Sequence, residues 1–198
     1  NIREKPASLA VKNLDYRPLL NQFSFNLTTA QKRTVDEICN DFKSGLCMNR
    51  LIQGDVGCGK TAVAMIAAYI CIKNGAQAAL MAPTDVLAMQ HYKGFSEVFE
   101  ALGIKCSLLT SALKKKEKQA VYLALENGET DIVIGTHALI QDAVSFKNLG
   151  LVITDEQHRF GVKQREILTE KGVGVHALVM TATPIPRTLA LILYGDLD

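Results

Sequence analysis

Asn49-Arg50-Leu51-Ile52-Gln53-Gly54-Asp55-Val56-Gly57-Cys58-Gly59-Lys60-Thr61 decides the reading of this chain. From Gly54 to Thr61 it fits the phosphate-binding pattern G-x-x-x-x-G-K-S/T at every fixed position. The run Asn49 to Gln53 reads as a short buried strand, and the apolar, Ala-rich run Ala62 to Ile72 reads as a helix. Strand, glycine loop and helix are the context the pattern needs. Three glycines allow a tight turn with several N–H groups facing inward. The helix N-terminus adds the positive end of its dipole, so main chain can hold a polyphosphate. Lys60 would reach the β- and γ-phosphates, and the Thr61 hydroxyl would hold Mg²⁺. A plain glycine turn before a core helix is the alternative.

Outward from this stretch, apolar strands alternate with helices. Strands are expected at Gln77 to Met81, Ile104 to Leu109, Asp131 to Gly135, Leu151 to Asp155 and Ala177 to Thr181. Helical spacing of Val35, Ile38, Cys39 and Phe42 predicts a helix over Gln31 to Lys43, preceded by a capping box from Thr28 to Gln31. Thr84 can cap a helix with Val86, Phe95, Val98, Phe99 and Leu102 on its buried side. A helix over Leu113 to Glu126 would bury Ala120, Val121, Ala124 and Leu125, and Gln164 to Lys171 and Thr188 to Tyr194 also read as helical. This rhythm implies an α/β fold, a mainly parallel sheet with helices on both faces. Ligands of such sheets bind at the carboxyl ends of the strands. Gly54, Pro83, Gly135, Asp155 and Thr181 each follow a strand, so one edge would carry the unusual residues. Residues 1–24, with Pro6 and Pro18, read as a linker entering the domain of residues 25–198.

Composition bounds the alternatives. The 198 residues are 48% hydrophobic, enough for one ordinary core. A net charge of +2 gives no bulk sign of nucleic-acid binding, which would need local contacts. The five cysteines form no C-x-x-C pair, which argues against a zinc site or a disulfide framework and fits a reducing cytosol. The longest apolar run is too short to span a bilayer, so no membrane partner is expected.

Leu151 to Glu156 is an apolar strand ending in two carboxylates. ATP hydrolysis needs a metal on the phosphates and a group to orient the attacking water. Asp155 is the natural partner for a Mg²⁺ held by Thr61. Glu156 can orient or deprotonate the water. Lys60, Asp155 and Glu156 are therefore the candidate catalytic residues.

Asp155-Glu156-Gln157-His158 resembles the DExH box of superfamily 2 helicases and translocases. Ala82-Pro83-Thr84, Gly135-Thr136-His137-Ala138-Leu139-Ile140 and Thr181-Ala182-Thr183-Pro184-Ile185-Pro186-Arg187-Thr188 resemble further helicase blocks in order and spacing. Finer details, including Ala88-Met89-Gln90-His91-Tyr92 and Tyr194-Gly195-Asp196-Leu197-Asp198, resemble the bacterial helicases of branched DNA. The resemblance runs from about Phe25 to Asp198. It implies a RecA-like P-loop NTPase domain, the ATP-binding lobe of a motor that couples hydrolysis to fork reversal and branch migration in DNA repair and recombination. A duplex translocase of transcription-coupled repair or replication restart is the neighbouring reading. A non-motor ATP-binding module is the alternative of another class.

The resemblance also assigns roles. Phe25 and Gln31 look like an adenine-recognition element, although the capping box explains Gln31 equally. Gly54, Asp55, Val56, Gly57, Cys58, Gly59, Lys60 and Thr61 would cradle the phosphates. Gln157, His158, Thr181 and Thr183 would couple nucleotide state to the rest of the motor. Pro83, Thr84, Thr110, Ser111, Gly135, Thr136 and His137 would meet the DNA backbone, with helix capping by Thr84 and a turn at Gly135 as the alternatives. Ser111 stands where the family usually has glycine. Cys58 stands where it usually has serine, and a thiol at a helix start can be reactive. Lys114-Lys115-Lys116-Glu117-Lys118 reads as a solvated face or a peripheral DNA contact. No Q-x-x-G-R-x-x-R block occurs in residues 1–198, so a second motor lobe and a junction-binding wedge domain are expected elsewhere in the parent chain. The implied setting is a bacterial cytoplasm, at the nucleoid.

Overall fold

The computed structural model describes residues 5–53, 58–156 and 162–181. Six strands form one wholly parallel sheet: β1 (Asn49–Gln53), β2 (Gln77–Met81), β3 (Cys106–Leu109), β4 (Ile132–Gly135), β5 (Leu149–Asp155) and β6 (His176–Thr181). Their spatial order is β1-β6-β5-β2-β4-β3. Among the described residues six α-helices accompany them: α1 (Arg17–Leu20), α2 (Thr29–Lys43), α3 (Cys58–Lys73), α4 (Asp85–Phe99), α5 (Lys115–Glu126) and α6 (Val162–Thr169). The α/β fold class read from the sequence is the one observed. The expected helix Thr188 to Tyr194 lies outside the described residues.

Strand alternation sorts the core into two layers. Ala78, Leu80, Ile132, Ile134, Leu151 and Ile153 face a cluster containing α2, α3 and α4. Ala79, Met81, Val133 and Val152 face a second cluster with Leu125 of α5 and Leu168 of α6. Both faces are covered, which is why these strands are continuous apolar runs. Alanines recur through α3, and its residues from Ala62 to Cys71 are all buried. That helix lies inside protein on every side, as its lack of a polar face predicts.

The capping box of α2 is present. The Gln31 N–H donates to Thr28 Oγ1 at 3.1 Å and the Thr28 N–H donates to Gln31 Oε1 at 2.7 Å. The buried stripe Val35, Ile38 and Phe42 follows the expected helical spacing. Two expected faces differ. Val86 is 65% exposed because the first turn of α4 has no apolar neighbour over it, while Phe95 and Phe99 lower down are buried against the sheet and each other. Of the face expected on α5 only Leu125 is fully buried, and Ala120 is exposed.

Residues 5–24, expected as a linker, pack on the domain. Leu19 is fully buried, Leu9 nearly so, and Leu14, Tyr16, Leu20 and Phe23 lie on the core. The Ala7 N–H donates to the Gly45 carbonyl at 2.9 Å and the Ser8 N–H to the Gly174 carbonyl at 3.2 Å. This segment crosses the amino ends of β1 and β6. The opposite edge is level: Gln53 pairs with Thr181, Asp155 with Met180, and Met81 with both Thr154 and Gly135. These strand ends therefore lie side by side at one edge of the sheet.

Candidate nucleotide and nucleic-acid site

The sheet order divides this edge. On one side are the ends of β1, β6 and β5, leading to the glycine loop, Thr181 and the acidic pair. On the other are the ends of β2, β4 and β3, leading to Pro83, Gly135 and Thr110. Gly54, Asp55, Val56 and Gly57 lie outside the described residues, as does the side chain of Cys58. Gly59, Lys60 and Thr61 form the first turn of α3, half-buried. This puts Lys60 and Thr61 at the positive end of a 16-residue helix. Gln31 reaches across to that turn, its Nε2 donating to the Gly59 carbonyl at 3.2 Å. One amide thus caps α2 and braces α3. Phe25 is 41% exposed and stacks on Phe23 at 5.0 Å with nearly parallel rings.

The two carboxylates at the end of β5 have different surroundings. Asp155 Oδ2 lies 2.7 Å from His91 Nε2 of α4. Glu156 is buried, and its Oε1 accepts from Thr154 Oγ1 at 3.2 Å and from Arg165 Nη1 of α6 at 3.3 Å. Its Oε2 has no hydrogen-bond partner among the described residues. Burial raises the Glu156 pKa above the usual carboxylate value, while Arg165 and Thr154 oppose the rise. A carboxylate held this way is a better base than a solvated one and keeps one oxygen for another donor. Thr181 ends β6, buried, with its hydroxyl unpartnered among the described residues. Gln157, His158 and Thr183 lie outside those residues.

On the other side, Thr84 is exposed and caps α4, its Oγ1 accepting from the Leu87 N–H at 3.2 Å. Pro83, Ser111 and His137 are exposed, whereas Thr110 and Thr136 are buried. Thr136 Oγ1 also lacks a partner among the described residues. A Cβ on Gly135 would collide with the Leu109 carbonyl, so close approach of β3 and β4 requires glycine there. Lys114, Lys115 and Lys116 are exposed at the start of α5. A cavity of about 40 Å³ joins the two sides, lined by Met81, Pro83, His137, Asp155, Glu156 and Gln164 among others.

The residues present suit Mg²⁺. Thr61 and Asp155 offer hard oxygens, and Glu156 Oε2, next in sequence to Asp155, is a further acceptor without a partner among the described residues. No cluster of three or more His, Cys, Asp or Glu suited to a metal occurs among the described residues. Mg²⁺ on a nucleotide is ordinarily held through one or two carboxylates and the substrate's phosphates rather than by a protein cage. Two residues at this site escaped sequence reasoning. His91 stood in a quoted stretch with no role attached, and Arg165 lay in an ordinary amphipathic helix. The only signal for Arg165 was a cation on the apolar side of α6.

The model of the DEAD/DEAH box helicase family matches residues 28–192. The chain belongs to that family. It is 52% identical to the ATP-dependent DNA helicase RecG of Aquifex aeolicus over 99% of its own length, and 56% identical to that of Thermotoga maritima over 90%. It spans about a quarter of those relatives, 25% and 23%. A solved structure of RecG bound to a three-way DNA junction superposes with a TM-score of 0.82 at 49% identity, over 98% of this chain and 26% of that one. The yeast DEAD-box splicing factor Prp28, at 19% identity and a TM-score of 0.67, shares the fold.

Proposed function

We propose that this chain is the ATP-binding, first RecA-like lobe of an ATP-dependent helicase that acts on branched DNA, in fork reversal and branch migration. The observation that carries the reading is the small cavity in which Asp155 and Glu156 meet Pro83 and His137. Catalytic carboxylates and backbone-facing residues share one wall, so nucleotide state and DNA contact act on the same few atoms. Similarity to RecG over nearly the whole chain, and to a RecG bound to a three-way junction, supports branched DNA as the substrate.

In this reading the glycine loop, Lys60 and the N-terminus of α3 bind the triphosphate through N–H donors and one cation. Thr61 and Asp155 would hold Mg²⁺, which when bound neutralises charge on the β- and γ-phosphates. Glu156 takes a proton from the attacking water through its unpartnered Oε2, and its raised pKa brings it nearer the range useful for a base. Phe25 stacks on the adenine. An amide carries two donors and two acceptor sites, so Gln31 can keep its brace and still meet the base edge. Thr181, with Gln157, His158 and Thr183, reports phosphate state. The exposed Pro83, Thr84, Ser111 and His137 meet sugar and phosphate without reading sequence, and the buried Thr110, Gly135 and Thr136 would support that surface from the strand ends beneath it. The second motor lobe and a wedge domain complete the motor, in a bacterial cytoplasm at the nucleoid.

The test measures ATP hydrolysis by the full-length protein without DNA, with linear duplex and with a three-way fork, beside Lys60→Ala. The expected result is strong stimulation by the fork that Lys60→Ala abolishes. Equal stimulation by linear duplex would instead mark a general duplex translocase, and ATP binding with no DNA response a non-motor module.

A further inference from the structure

His91 and Asp155 are 64 residues apart in sequence and meet at 2.7 Å. Both side chains are largely withdrawn from solvent, at 14% and 16% exposure. An ionised carboxylate only accepts hydrogen bonds, so the imidazole Nε2 is the donor. That bond engages one oxygen of Asp155. It fixes the plane of the carboxylate and leaves the other oxygen to a ligand. Partners that orient a metal-ligating group in this way commonly set its affinity for the ion. The element that carries His91 adds a second point. Helix α4 begins just after Pro83 and Thr84, and His91 lies two turns further along, about 10 Å at 1.5 Å per residue. One rigid helix therefore runs from the nucleic-acid side of the edge to the acidic pair.

We propose that His91 is the positioning residue of Asp155: its ring N–H orients the carboxylate for Mg²⁺ and links that carboxylate, through α4, to the Pro83-Thr84 loop. This inference rests on the metal-holding role proposed for Asp155. Contact of Thr84 with a phosphate would shift the start of α4, and the shift would reach Asp155 through one hydrogen bond. By linkage, Mg²⁺-nucleotide and DNA then strengthen each other's binding.

The experiment titrates Mg²⁺ into the full-length protein with a fluorescent ATP analogue and reads nucleotide binding rather than turnover. It compares wild type, His91→Phe, His91→Gln and Asp155→Asn, each checked for folding by thermal melting. Loss of the donor in His91→Phe should raise the half-saturating Mg²⁺ concentration about 10–100-fold. His91→Gln, whose amide N–H can donate to the same oxygen, should restore most of the affinity. If His91→Phe does not fold, His91→Ala takes its place. An unchanged half-saturation in the donor-less variant, with a raised one in Asp155→Asn, overturns this inference and leaves the reading of Asp155 standing. No change in Asp155→Asn overturns both. A glutamine no better than phenylalanine overturns the role of the hydrogen bond. Repeating the titration with duplex DNA tests the link to α4. DNA should lower the half-saturating Mg²⁺ in wild type and not in His91→Phe. No fall in wild type, or an equal fall in both, overturns the link.

Discussion

The two edges of the sheet treat buried polar groups in opposite ways. At the amino edge Gln77 starts β2, buried, and its amide is fully used. Its Nε2 donates to the Leu125 and Thr130 carbonyls at 3.0 and 2.9 Å, and its Oε1 accepts from the Asn148 N–H at 2.9 Å. At the carboxyl edge Glu156 Oε2, Thr136 Oγ1 and Thr181 Oγ1 are buried with no partner among the described residues. An unpaired buried polar atom costs about 1–3 kcal/mol. The same sheet thus uses the Gln77 amide on both sides at one edge and leaves three side-chain oxygens at the other without partners among the described residues. Of these, Glu156 lines the cavity at the acidic pair, where a ligand could supply its missing hydrogen bond. In the proposed reading, the difference separates residues that hold the fold from residues kept for chemistry.

Glu156→Gln tests the active edge with the largest expected effect. The amide keeps the shape of the side chain and removes the base. ATP binding should persist while hydrolysis falls about 10²–10⁴-fold, the usual contribution of a general base. Single-turnover hydrolysis beside nucleotide affinity separates the two, and turnover at the wild-type rate would remove Glu156 from this role. Gln77→Leu tests the structural edge. It strands the Thr130 carbonyl and the Asn148 N–H, while the Leu125 carbonyl keeps the Lys147 N–H at 3.1 Å, and should cost about 2–4 kcal/mol in urea denaturation. Protein that remains folded should hydrolyse ATP normally. A specific catalytic defect there would erase the distinction between the edges.

His176 sharpens the comparison, because it lies at the amino edge and is not fully paired. Its Nδ1 accepts from the Met48 N–H at 2.8 Å, and its ring meets Phe42 edge-on at 4.9 Å. Its Nε2 has no partner among the described residues. Burial pushes its pKa down to about 4, against a weak pull from Asp41 in the other direction. The unfolded chain takes up the proton near pH 6.5 and the native chain resists it. Stability is therefore unaffected above pH 6.5 and falls as pH drops from there to about 4, by up to about 3 kcal/mol. Unfolding curves across this range should show a shallower pH dependence in His176→Gln. Coincident slopes would place the acid sensitivity elsewhere.

Much of this organisation was legible in the sequence, and the reasons are local. The inner strands are short apolar runs that stop at a glycine, proline or polar residue, and buried parallel strands are written that way, while β1, expected as buried, is an edge strand with only Ile52 buried. The capping box and the helix after the glycine loop are likewise local signals. Strand order was not legible, since alternating strands and helices fit several parallel sheets. The contacts of His91 with Asp155 and Arg165 with Glu156 depend on that order and on helix placement, so no spacing rule reached them. Val86 shows the limit of periodicity. The pattern gave the face of α4 on which it lies but not how far along the helix the core extends. Residues 5–24 misled for a related reason. Scattered apolar residues among prolines look like a linker, and only the folded packing makes Leu9 and Leu19 core residues.

The smallest effect discriminates best between the two edges. Thr136→Val replaces a buried, unpartnered hydroxyl with a methyl of nearly the same shape. If Thr136 served the fold, the change would destabilise the chain as Gln77→Leu does. With no partner among the described residues, the hydroxyl carries a desolvation cost that its removal relieves. Denaturation should therefore show a change within about 1 kcal/mol, neutral or stabilising. Contact with the DNA backbone requires the Thr136 hydroxyl, buried here, to be uncovered on binding; the variant should then bind duplex DNA more weakly at every sequence, because a lost contact to the sugar-phosphate backbone carries no sequence information. Thr181→Val should behave alike in stability, with its defect in coupling ATP hydrolysis to DNA instead of in DNA affinity. A clear loss of stability in either variant would mean that the hydroxyl is already satisfied within the protein, and that this part of the carboxyl edge is structure like its opposite.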